Sequence, residues 1–252
     1  MTTDYTIANE FTLPSEGKVY EQKVNPMFKL RSMTTADEMK RLNHSDRPYK
    51  AMSDIIDGCV VEGLGISAYD LCVADYQFML HKLRIVTYGS EYKLSSICPY
   101  CGTENDGKIN LEDMEIVPFD EEIYNKYVEF ELPVCKKTIR LKMQTPRILD
   151  NITLKTKDHK RKTTASSQDL NFLFTIESMI DKIDGSRPEE FKIIPFIEKL
   201  SMRDTNYILQ CAKKLNSFFG INSDIHNVCE VCGLDYKSSF RTTSEFFGPS
   251  ID

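Results

Sequence analysis

Eight cysteines occur in this 252-residue chain, and four of them form two Cys-x-x-Cys pairs, Cys98-Pro-Tyr-Cys101 and Cys229-Glu-Val-Cys232. Each pair runs directly into a glycine, Gly102 or Gly233. Two intervening residues let both sulfurs of one turn reach a single ion, and the glycine admits the positive-φ backbone that closes such a turn. Four thiolates from two such turns suit Zn2+, which takes tetrahedral sulfur ligation at about 2.3 Å. The predicted metal ligands are therefore Cys98, Cys101, Cys229 and Cys232, with zinc as the cofactor. Cys59, Cys72, Cys135 and Cys211 are scattered singly among apolar residues and lack this spacing.

Thiol redox chemistry is the competing use of the first pair. Cys98-Pro-Tyr-Cys101 has the letters of a glutaredoxin site, so a thiol oxidoreductase using Cys98 and Cys101 is one alternative. That chemistry places the second cysteine inside a helix, whose N-terminus lowers the thiol pKa. Here the sequel is Gly102-Thr-Glu-Asn-Asp-Gly107, which breaks helices, and redox chemistry leaves the second pair unexplained. The four histidines, His44, His81, His159 and His226, show no HExxH or His-x-His spacing. His226 lies three residues before Cys229 and is a candidate substitute or supporting ligand, but the four cysteines are preferred. Walker, GxGxxG and GxSxG motifs are absent, which argues against an enzyme.

The elements that must position these thiols follow from local patterns. Residues 1–33 read as irregular to extended, with a turn-rich loop at Phe11–Gly17 and a short strand at Lys29–Met33. Thr35-x-x-Glu38 predicts a helix start through a capping box. Asp46 and Pro48 predict another, through Ala51, Ile55 and Ile56 to about Gly58. The strongest pattern is a helix over Ser67–Tyr88, with Ser67 as N-cap and Gly89 as stop. Cys72, Tyr76, Met79, Leu83 and Val86 make one apolar face, widened by Leu71, Phe78 and Ile85, so this helix is core. Asp75 and Arg84 are charges on that helix, expected to be paired or at an interface.

Short strands at Glu91–Leu94 and Lys108–Leu111 flank the first knuckle. Residues 112–131 carry eight acidic side chains against one lysine and read as solvated surface. Alternation at Tyr127–Leu132 and Thr138–Met143 predicts a hairpin, and Thr145-Pro146 opens a helix. Residues 155–167 read as a basic linker. Helices follow at about Ser167–Ile183, Pro188–Leu200 (interrupted by Pro195) and Met202–Phe218, the last capped by Ser201 and stopped at Gly220. Strands at Ile221–Val228 and Leu234–Phe240 flank the second knuckle, and the adjacent Phe246 and Phe247 near the end need a pocket. The fold class is α+β: a helical N-terminal part and a helical insert joined by a split four-cysteine zinc ribbon. The expected divisions are 1–90, a ribbon of 91–111 with 221–242, an insert of 112–220 and a tail of 243–252.

Hydrophobic content of 41%, charged content of 28% and a net charge of −6 describe an ordinary, acidic globular chain. That charge disfavours general nucleic-acid affinity. A zinc-ribbon nucleic-acid binder, using Lys155, Lys157, Lys160, Arg161 and Lys162 on phosphates, is the second alternative. No apolar run approaches the roughly 20 residues needed to span a membrane, and no secretory signal opens the chain. Cysteine-rich chains without such a signal belong to a reducing cytoplasm.

Several runs are shared with a known family: Leu13-Pro-Ser-x-Gly-x-x-Tyr20, Leu30-Arg-x-Met-Thr-Thr-x-Asp-Glu38, Asp75-x-x-x-Met-Leu-x-x-Leu-Arg84 with Thr87-Tyr-Gly89, Cys98-x-x-Cys-Gly102 and Glu245-Phe-Phe-x-Pro249. In these, covering about the first 110 and the last 25 residues, the chain resembles the baseplate hub proteins of T4-like contractile-tailed bacteriophages. The middle, about 112–220, carries no such match. The resemblance implies a non-catalytic structural or assembly role in the virion tail baseplate, in a protein made and assembled in the host bacterial cytoplasm. The implied partners are other phage tail proteins, with a homo-oligomer also open. The Leu13–Tyr20 loop and Phe246/Phe247 are candidate contacts, weighed equally against packing on the protein's own core.

Overall fold

The computed structural model describes residues 7–162, 170–240 and 244–247. Its first part is a three-stranded antiparallel sheet backed by helices. Strands β1 (Ala8–Thr12) and β2 (Asn25–Arg31) pair, helices α1 (Thr35–Arg41) and α2 (Pro48–Cys59) follow, and β3 (Val60–Leu64) pairs with β2. Helix α3 (Val73–Tyr88) then runs beneath them and ends at Gly89, at φ 87°. Leu13, Phe28, Leu30, Ile55, Ile56, Met79 and Leu83 pack around it as one buried cluster.

Three local expectations are corrected here by tertiary partners. The capping box is Thr34 with Asp37, one residue before the predicted pair, because Asp37 also receives Arg31 at 2.8 Å. Pro48 does open α2, but Asp46 does not cap it. Asp150, far along the chain, accepts the Lys50 amide at 2.9 Å instead. The helix predicted over Ser67–Tyr88 is broken: Ser67 caps only a 3-10 turn, Ala68–Asp70, and Leu71 and Cys72 are extended. The amides of Cys72 and Val73 go to the Tyr20 hydroxyl (3.1 Å) and the Gln144 carbonyl (2.9 Å), not to the preceding turn.

After α3 come β4 (Glu91–Ile97) and β5 (Glu104–Asn110), a hairpin. The chain then enters the insert through β6 (Ile116–Val117) and forms α4 (Glu121–Val128), β7 (Glu129–Glu131), β8 (Thr138–Leu141), α5 (Pro146–Lys162), α6 (Leu170–Met179), β9 (Ile180–Ile183), α7 (Glu190–Ile197) and α8 (Met202–Leu215). It leaves through β10 (Gly220–Ile221), which pairs with β6, so the two ends of the insert are zipped together. A hairpin of β11 (Asp224–Val228) and β12 (Asp235–Ser239) completes the order.

The acidic run expected to be plain surface contains α4, whose N-cap Asp120 accepts the Ile123 amide at 3.0 Å. Residues 155–162 are the end of α5 rather than a linker, since the stretch has neither Gly nor Pro and Lys155 is tied to Glu190 at 2.7 Å. Residues 163–167 of that expected linker lie outside the described residues. The helix expected to reach Ile183 stops at Met179, because Ile180–Ile183 pair with β8 to build the sheet β7-β8-β9. Ser201 caps α8 as predicted, accepting the Asp204 amide at 3.1 Å. The insert has its own core, including Leu132, Ile139, Ile176, Ile208 and Leu215. It also packs on the first part, with Arg147 clamping Asp70 at 2.5 and 2.7 Å while its guanidinium lies 4.4 Å from the Tyr69 ring centre.

Candidate metal centre

The two hairpins carry the knuckles at their tips, β4 and β5 around Cys98–Cys101 and β11 and β12 around Cys229–Cys232. The local backbone is the same in both. The Cys98 amide donates to the Thr103 carbonyl at 2.9 Å and the Gly102 amide to the Cys98 carbonyl at 2.9 Å. Correspondingly, Cys229 donates to Leu234 at 3.1 Å and Gly233 to Cys229 at 2.9 Å. Gly102 and Gly233 sit at φ 73° and 69°, where a side chain would be strained.

The four sulfurs meet. One Sγ from each of Cys98, Cys101, Cys229 and Cys232 lies within 4.8 Å of all the others. Across the two knuckles, Cys98 and Cys232 are 3.8 Å apart and Cys101 and Cys229 3.5 Å. Disulfides would need about 2.05 Å. Sulfurs at the corners of a tetrahedron about 2.3 Å from a central Zn2+ stand about 3.8 Å from one another, so the donor set fits that ion. Among the described residues no other group of His, Cys, Asp or Glu side chains gathers this way.

The four thiols do not share one electrostatic environment. Backbone amides of Cys232 and Val231 hold the Cys229 thiol down to about 6, and the Thr103 hydroxyl lowers Cys101. Cys232 receives a favourable amide from Leu234, yet burial and the neighbouring sulfurs push it up to about 12. Thiolates packed this closely repel one another, and a dication removes that repulsion.

Side chains that sequence reasoning missed lock the knuckles to each other. The Asn105 amide donates to the Thr103 carbonyl at 3.0 Å and its oxygen accepts the Glu230 amide at 3.0 Å, bridging the hairpins. Ser96 and Tyr236 share a hydroxyl hydrogen bond of 2.7 Å, and Tyr236 packs with Cys98 and Cys229. Only the inward position of Asn105 on a short strand could have signalled it. His226 is exposed on β11 opposite Lys237 and stands apart from the four sulfurs. No helix follows Cys101: Gly102 turns the chain into β5, which removes the helix terminus that a glutaredoxin-type thiol requires.

The other singled-out residues hold the fold. Asp75 is fully buried and accepts the Ser15 hydroxyl and Tyr20 hydroxyl, both at 2.5 Å, and the Ser15 amide at 3.1 Å. Burial pushes its carboxyl up, against these donors. Arg84, also fully buried, donates to the carbonyls of Phe246 and Gly89, each at 2.8 Å. The two charges are therefore anchored separately. Phe246 and Phe247 are buried in the first core, as is Leu13, so these candidate partner contacts pack on the protein's own interior. Of the basic residues on α5, Lys155 pairs with Glu190 and Glu177, and Lys157 with Asp46.

A cavity of about 730 Å³ lies away from the sulfurs, lined in part by Tyr49, Met52, Tyr76, His81, Phe240 and Phe247. The His81 ring nitrogens have no hydrogen-bond partner among the described residues, and the neighbouring Leu111 backbone acts only to raise the ring's pKa. Burial, helped by Lys82, lowers its pKa to about 4, so the ring is neutral at pH 7.

No helix among the described residues is long and apolar enough to cross a membrane. Neither the curated proteins nor the solved structures provide a match. A family model described as T4 bacteriophage base plate protein matches residues 6–248, which includes the middle region that carried no recognisable motif. Both knuckles, the insert between them and the buried Phe246-Phe247 pair thus fall within one family's span, and the chain belongs to the T4 bacteriophage base plate protein family.

Proposed function

We propose that this chain is a structural or assembly component of the hub of a contractile-tail baseplate, working through protein–protein contacts and without enzymatic activity. The match over residues 6–248 carries this reading. Its partners are other tail proteins, it is made and assembled in the host bacterial cytoplasm, and its place is the tail of the virion. Cys98, Cys101, Cys229 and Cys232 hold a zinc ion whose role is to clamp, a reading supported by their sulfur separations.

In this reading the molecule divides as 1–90, a ribbon of 91–111 with 221–242, an insert of 112–220 and a tail of 243–252. The pairing of β6 with β10 supports the insert boundaries. Zinc supplies cohesion where burial is scarce: structural sites in small zinc domains contribute about 10–16 kcal/mol of binding free energy. The cysteines orient their thiolates, Asn105 fixes one knuckle to the other, and the two glycines permit the turns.

The test is to purify the chain under reducing conditions, measure its zinc, and ask whether it co-sediments with baseplate intermediates. Zinc at one per chain together with co-sedimentation is expected. Zinc without co-sedimentation contradicts the baseplate role, and co-sedimentation without zinc contradicts the clamp.

A further inference from the structure

On the strands that lead into the knuckles, side chains alternate, and the outward positions should be polar. On β4 they are Glu91, Lys93 and Ser95, and then Ile97; on β11 they are Asp224 and His226, and then Val228. Both hairpins break the rule at the residue before the first cysteine. Both repeat the break between the cysteines, with Tyr100 and Val231, and Leu234 adds a fifth apolar side chain. Ile97, Tyr100, Val228 and Val231 are 62–70% exposed and Leu234 49%. All five lie within two residues of a sulfur of the cluster, so the tip is a rigidly held, solvent-facing apolar patch.

Acidic groups are the charges nearest to it, with Lys237 two positions further along β12 and the facing Lys93 and Lys108 further down the first hairpin. In register, Ile97 stands opposite Glu104 and Val228 opposite Asp235. Glu230 sits inside the second knuckle, and all three carboxylates are exposed. The Lys108–Glu91 ion pair lies at the far end of its hairpin. With zinc held as proposed, four thiolates around one dication would leave the same end anionic.

We infer that this knuckle tip is a docking surface for another baseplate protein, one that presents an apolar pocket rimmed by lysine or arginine. The inference rests on the baseplate reading above and adds the surface and the chemistry of the partner. A second copy of this chain is a poor occupant, since two identical acidic rims repel, and nucleic acid is disfavoured for the same reason. The apolar centre would carry the affinity and the acidic rim the orientation and association rate.

The experiment uses the full chain and purified baseplate intermediates from an infection that lacks it. The wild-type chain should bind these particles, less tightly as salt rises. A Tyr100→Ser, Val231→Ser double variant should keep its metal and circular dichroism spectrum while binding at least about tenfold more weakly. A Glu104→Lys, Asp235→Lys variant, which leaves the apolar centre intact, should also bind more weakly and lose the salt dependence. Wild-type binding that survives in both variants overturns the tip as a docking surface and leaves the baseplate reading standing. If the wild-type chain does not bind the particles, the baseplate reading falls and takes this one with it. Self-association of the wild type that the double variant abolishes would assign the patch to a second copy and also overturn the inference.

Discussion

Around α3 the chain buries a continuous apolar cluster, drawing Phe28, Leu30, Ile56, Met79, Leu83 and Phe246 into one interior. At the knuckles the buried apolar set is Cys98, Cys229 and Tyr236, while five large apolar side chains face solvent. The first region is held by burial, at about 25 cal/mol for each Å² removed from water. The second buries far less; the Asn105 bridge ties its two turns together, and in the proposed reading a zinc ion on the four sulfurs supplies the rest. One region turns its apolar residues to its own interior and the other turns them to solvent.

The largest separation of the two should come from Cys229→Ser. Bound zinc should be lost and amide hydrogen exchange across β4, β5, β11 and β12 should accelerate by orders of magnitude, with the exchange of α3 far less affected. Uniform acceleration across both regions would mean that they are one cooperative unit. The reverse experiment is Leu83→Ala, which opens a void in the α3 core and should cost about 2–5 kcal/mol in chemical denaturation with zinc content unchanged.

A smaller and pH-dependent effect belongs to His81. Its folded pKa of about 4 lies below the ordinary 6.5, so the unfolded chain binds the proton first. Stability attributable to this ring should fall as pH drops from about 6.5 to 4, by up to roughly 3 kcal/mol, and change no further below that. Subtracting the denaturation profile of a His81→Leu variant separates this contribution from every other acid-dependent effect. Least of all, Thr34→Ala removes the α1 cap and should cost about 1 kcal/mol in thermal unfolding without affecting either region's distinct behaviour.

What was readable in the residues was what chemistry fixes locally. Cys-x-x-Cys-Gly states a ligand spacing and a backbone turn together, and the structure brings all four thiols together. Ser201 and Gly89 likewise announce their helix ends without help from the rest of the chain. The failures share a different cause, a distant partner. Thr34 and Thr35 are both plausible caps, and the choice falls to Arg31, which reaches Asp37. Ile180 and Ile183 fit a helical period, but β8 claims them as a strand. Asp150 caps a helix about a hundred residues away, and Asn105 ties together two knuckles that meet only in the folded chain. The baseplate motifs were visible at both ends, whereas the family span across the middle rests on a pattern too diffuse for any short run to carry.

In the proposed reading one metal ion clasps residues from the middle and the end of the chain. X-ray absorption at the zinc edge, on full-length protein purified under reducing conditions and assayed for metal, tests it most directly. One zinc per chain with four sulfur neighbours at about 2.3 Å is expected. A metal-free, folded protein, or a zinc shell in which nitrogen or oxygen replaces sulfur, would contradict it.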